Sequence, residues 1–122
     1  MSGLLRIGLG TLALLGATPL MAHHSFAMFD TAREVTLAGT VREFQWTNPH
    51  SWLQLNVAQR GRTVEYSIEM GSPNTMSRKG WRRGTFKPGD KVTVVINPMR
   101  DGSPGGSLVS AVDAQGNRLS MR

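Results

Sequence analysis

Residues 35–46, VTLAGTVREFQW, carry an apolar alternation that breaks phase partway along. Val35, Leu37, Gly39 and Val41 share one face of an extended strand, and Thr36, Ala38, Thr40 and Arg42 share the other. At Glu43 the parity flips, and Phe44 and Trp46 carry the apolar face onward. A strand changes face only through a bulge or a sharp coil, and Gly39, which has no Cβ, eases such a bend. A first strand of this kind can belong to both halves of a closed sheet.

The segments that follow fit that expectation. Thr47-Asn48-Pro49-His50 is a turn by composition, because Asn and Pro favour turns and Pro cannot donate to a ladder. Leu53, Leu55 and Val57 then alternate with Trp52, Gln54 and Asn56, and Gln59-Arg60-Gly61-Arg62 closes a hairpin. A third strand sets Val64, Tyr66, Ile68 and Met70 against Glu65, Ser67 and Glu69. Ser72 is a good N-cap, Pro73 suits the first helical position and Gly80 suits the position past the end, so Pro73 to Lys79 reads as a short helix. Lys87-Pro88-Gly89-Asp90 is a turn, and Lys91 to Asn97 is a strand rich in β-branched residues. Pro98 to Gly106 reads as a long Gly/Pro loop, Leu108 to Val112 as a fifth strand, and Asn117 to Met121 as a short edge strand. Three strands, a short helix and two more strands is the order of an OB-fold, a small Greek-key barrel. The expected class is therefore all-β with one short helix, an OB-fold-like barrel of five to six strands. A six-stranded sandwich or open barrel, with the helix as a mere loop turn, is the competing architecture.

Upstream of the barrel, Arg6 and the apolar run from Ile7 to Ala17 read as an export signal, with Ala22 at the cut. The run is about half of the ~20 residues needed to span a bilayer. The expected organisation is a signal peptide over 1–22, an arm over 23–33 and the barrel over 34–122, in a protein destined for the periplasm or secretion. The chain of 122 residues contains no Cys. That excludes a disulfide framework and a lipoprotein anchor. Without Arg6, 13 basic side chains face 8 acidic ones, a net charge of about +5. Outside the cytoplasm such charge meets membrane surfaces, anionic glycans and acidic envelope proteins rather than nucleic acid. Arg78, Lys79, Arg82, Arg83 and Lys87 concentrate it within ten positions.

The sharpest chemical feature is His23-His24 behind the expected cut. Cleavage after Ala22 gives His23 a free α-amine beside its own imidazole; the amine and Nδ1 close a chelate ring, and a second imidazole completes a T-shaped set suited to Cu(II). Cleavage one residue earlier gives Ala22-His23-His24, which also chelates through the amine and the third-position His. His50 is the remaining histidine, in the turn expected at the mouth of the barrel. Met28, Met70, Met76 and Met99 add soft sulfur donors that prefer Cu(I). Adjacent histidines can equally be a polar start, His50 a turn residue, and methionines core filler. A second candidate site is the barrel face and its loops, where Trp52 and Asn48 at one loop and Arg100 and Asp101 at another could bind an oligomeric ligand. Trp46 shares the parity of Phe44 and belongs to the core, while Trp81, after the helix, offers a further aromatic face on which such a ligand could stack.

No nucleophile elbow or phosphate loop is present, since Gly102-Ser103-Pro104-Gly105-Gly106 lacks the Gly-Lys-Ser/Thr ending. Glu65 and Glu69 on one strand face are the only carboxylate pair that suggests acid/base work. These features point to a non-catalytic binding module for copper, with an accessory domain for an acidic protein or glycan as the alternative and a metal-dependent enzyme as a weaker third.

The chain also resembles a known family. His23-His24-Ser25-Phe26, Phe29-Asp30, Gly39-Thr40-Val41, Trp46-Thr47-Asn48-Pro49-His50, Ile68-Glu69, Gly71-Ser72-Pro73, Gly80-Trp81 and Lys87-Pro88-Gly89-Asp90 together are similar to DUF6152, a family of small exported bacterial proteins. The resemblance implies export from a Gram-negative cell and one small β-rich domain. It implies no catalytic assignment.

Overall fold

The computed structural model describes Gly3 and residues 27–122. The expected signal peptide, His23 and His24 lie outside the described residues. Six strands and one helix follow in the order β1 (Val35–Gln45), β2 (Trp52–Gln59), β3 (Arg62–Glu69), α1 (Pro73–Ser77), β4 (Lys91–Pro98), β5 (Gly105–Asp113) and β6 (Arg118–Ser120). The sheet runs β3-β2-β1-β4-β5-β6, and a further parallel pairing of β3 with β5 closes five strands into a barrel. That closure is the OB-like arrangement and rules out both the sandwich and the open barrel. It also divides one edge of β5: Gly105 to Ser107 pair with β3, while Ser110 to Val112 pair with β6.

β1 serves both halves, as its broken alternation predicts. Val35 to Thr40 pair with β4, and Thr40 to Gln45 pair with β2. The register slips between Val41 and Glu43, leaving Arg42 as the extra residue of a bulge at the parity flip. Gly39 sits where the strand changes partners. A Cβ there would lie 2.5 Å from the Asn56 carbonyl oxygen and 2.8 Å from Leu55 Cγ, so β1 can approach β2 this closely only with glycine. The β2–β3 hairpin turns through Arg60 and Gly61, both at positive φ, a backbone twist that suits a two-residue connection.

Inward residues of every barrel strand meet in one core, including Leu37, Val41, Leu53, Leu55, Ile68, Val94 and Ile96. α1 places Met76 beneath the barrel, and Trp81 and Phe86 follow it into the interior. Phe44, Trp81 and Phe86 meet edge-on or tilted at centroid separations of 5.7–6.4 Å. Trp46 packs against Phe44 at 5.9 Å and is half-buried at the margin of the core. Ser72 caps the helix by accepting from the Thr75 N–H at 3.2 Å. The helix is shorter than its boundary residues suggest: Arg78 to Gly80 form a turn, and Trp81 N–H bonds back to the Met76 carbonyl.

Two expectations need correction. The loop after β4 is shorter than Pro98 to Gly106, because Gly105 and Gly106 are already strand residues. Cβ atoms at these positions would lie 2.7 Å from the Ser67 carbonyl oxygen and 2.3 Å from that of Asn97. The glycines therefore allow the close strand approach that seals the barrel. Trp81, offered as an aromatic platform, is fully buried, and its Nε1–H donates to the Ser120 carbonyl at 3.2 Å.

Candidate functional site at the mouth of the barrel

The turn between β1 and β2 is fastened to the end of β3. Thr47 Oγ1 donates to the His50 carbonyl at 2.7 Å, Ser51 N–H donates to Gly71, and Met70 N–H donates to the fully buried Ser51. The β2–β3 register sets Trp52 opposite Glu69. His50 consequently lies over the last residues of β3. Its Nδ1 is 3.2 Å from the Met70 carbonyl oxygen and 3.3 Å from Glu69 Oε1. Both neighbours are acceptors, which selects the tautomer with the proton on Nδ1 and a lone pair on Nε2. The His50 side chain is 45 % exposed and that of Glu69 only 11 %, so the carboxylate holds the ring from below while the ring meets solvent.

Two adjoining pockets share this corner. The larger, about 500 Å³, is walled by Phe29, His50, Glu69, Asn97, Met121 and Arg122. Asn97 is buried and donates to the Arg33 carbonyl at 2.7 Å, while Arg122 bonds Glu34 at 3.2 Å. The smaller, about 190 Å³, includes Met28, Phe29, Trp52, Glu69 and Met99 in its wall. Phe29 and Glu69 therefore belong to both.

The arm is pinned at this same mouth. Phe29 is 5 % exposed and bridges Met99, Asp30 N–H donates to the Pro98 carbonyl, and Arg100 N–H donates to the Met28 carbonyl. Burial of Phe29 supplies the anchoring energy, about 1.5–3 kcal/mol for a side chain of this kind.

Of the residues singled out by sequence, Trp52 is half-buried in the wall of the smaller pocket, and His50 is in the larger. Asn48 is exposed in its turn, which contains a cis Asn48–Pro49 bond, and lines neither pocket. Arg100 is exposed. Asp101 Oδ1 accepts from the Ser103 hydroxyl at 2.6 Å and the Ser103 N–H at 2.9 Å. These bonds hold its carboxyl below the usual carboxylate range and occupy it within its own loop. Glu65 pairs with Arg42 at 3.2 Å and Glu69 with His50, so the two carboxylates serve separate partners. Arg78, Lys79, Arg82, Arg83 and Lys87 are all exposed, and among the described residues none forms an ion pair. Lys79 Nζ donates to the Met121 carbonyl.

In the sequence Glu69 reads only as half of a carboxylate pair. Its role beside His50 depends on how the turn folds against β3, a long-range relation that periodicity does not carry. Among the described residues no group of three or more His, Cys, Asp or Glu side chains gathers at one point. A metal at His50 would therefore require a donor from outside them.

No curated protein and no solved structure matches the chain. A family of unknown function, DUF6152, matches residues 12–109, from the N-terminal segment into β5, and the chain belongs to it.

Proposed function

We propose that the protein is an exported, non-catalytic copper-binding module in which the processed N-terminus and His50 hold Cu(II) at the barrel mouth. The observation that carries this reading is the His50 geometry. Metal-ligating histidines commonly donate their second ring nitrogen to a carboxylate or carbonyl, which fixes the tautomer and raises ligand basicity. His50 has both kinds of acceptor at Nδ1. The missing donors would come from the His23 α-amine and imidazole, with His24 as the alternative imidazole. Phe29 lines the His50 pocket, and six residues of extended chain span up to about 20 Å, enough for His23 to return to it. Nitrogen donors in a tetragonal set favour Cu(II), and the free amine supplies one only after the leader is removed. The role that follows is metal capture, delivery or sensing in the cell envelope.

The test is Cu(II) titration of the processed protein against a competing chelator. The expected result is one equivalent bound at micromolar affinity or tighter, weakened at least about tenfold in His50→Ala. Equal affinity in the variant would remove His50 from the site.

A second reading has its own support in the five exposed cations between Arg78 and Lys87. They suit an acidic envelope protein, an anionic glycan or an anionic membrane surface as partner. Arg82→Glu/Arg83→Glu should weaken retention on a polyanionic glycan column and leave Cu(II) affinity unchanged. Unchanged retention would discard this reading.

A further inference from the structure

We propose that Met28 and Met99, which share a pocket with Trp52, form a second site for a soft monovalent metal ion, Cu(I) being the natural occupant. The choice of copper rests on the reading above. The residues are different, so the two sites fail separately.

The four methionines outside the N-terminal segment and before β5 divide sharply in the structure. Met70 and Met76 are 4 % and 0 % exposed and fill the core. Met28 is 41 % exposed, the one large hydrophobic residue so exposed among the described residues. It lines the smaller pocket together with Met99. An apolar side chain left in water gains nothing from burial, so core packing does not account for Met28.

Its surroundings do suggest a ligand. The arm pairing that joins Phe29 to Met99, and Arg100 N–H to the Met28 carbonyl, holds the two methionines on neighbouring strands of chain at one pocket. Met99 is seated over Gly105, whose Cβ would lie 3.6 Å from Met99 Cγ. The half-buried Trp52 lines the same pocket. Two neutral thioethers are soft donors that select Cu(I) over Zn(II) or Cu(II), and an aromatic face attracts a monovalent cation placed over it. A pocket of about 190 Å³ admits an ion with room to spare. Binding here is simple coordination, with no electron transferred.

Ag(I), a redox-inert stand-in for Cu(I), tests the site on the processed protein through tryptophan fluorescence. One equivalent should bind and quench emission. Met28→Leu/Met99→Leu should weaken binding at least about tenfold, since even outer partners of a metal contribute that much. His50→Ala should leave the Ag(I) curve in place while removing tight Cu(II) binding. Trp52→Phe should abolish most of the quenching, because Trp81 is buried in the core and Trp46 does not line this pocket. Should the double variant fold poorly, Met28→Leu alone, at an exposed position, should still weaken Ag(I) binding. The absence of Ag(I) binding, or identical binding in the leucine variants, would overturn the proposal.

Discussion

His50 and Glu69 show how little of a site one residue contains. A lone histidine in a turn has two tautomers and no reason to prefer either. Against Glu69 and the Met70 carbonyl, at 3.3 and 3.2 Å, Nδ1 becomes the donor and Nε2 the free ligand. The histidine was legible in the sequence because its side chain is distinctive. The glutamate was not, since it looked like one of two outward carboxylates on β3 and is in fact among the few buried polar residues. Glu69→Gln keeps the volume and an accepting oxygen but removes the charge. It should weaken Cu(II) binding about 10- to 100-fold, the usual effect of losing an outer partner. It should also raise the population of the Nε2–H tautomer, read from the ¹⁵N shifts of the His50 ring. Wild-type shifts and affinity in that variant would mean that Glu69 does not position the imidazole.

Strands were legible wherever one face is buried and the other wet. β2 alternates almost perfectly, and β1 announces its bulge by the change of phase between Val41 and Phe44. Gly105 and Gly106 misled for a physical reason: Gly-rich composition marks both turns and close backbone approach, and only the three-dimensional seam distinguishes them. The seam predicts a strong asymmetry between glycines. Gly105→Ala would place a methyl 2.7 Å from the Ser67 carbonyl oxygen of β3 and should destabilise the protein by about 1–3 kcal/mol as the strands move apart. Gly84→Ala meets nothing within 4 Å and should be close to neutral. Urea denaturation of both variants measures the difference, and equal midpoints would show that β3 and β5 are not in tight contact.

Across the whole molecule, closure of β3 on β5 brings together features that lie far apart in the chain. The arm at Phe29, the turn at His50, the end of β3 at Glu69 and the carboxyl-terminal Arg122 all border one pocket. The strand order made a barrel predictable, but the meeting of arm and turn at its mouth depends on the Phe29–Met99 bridge, which no alternation signals. The functional account needs one thing more: an α-amine created by removal of the leader. The decisive comparison is Cu(II) affinity of the protein beginning at His23 against the same protein with its α-amine acetylated. Tight binding by the first, reduced at least about tenfold in the second, is the predicted result. Equal affinities would contradict it, because the amine would then take no part in holding the metal.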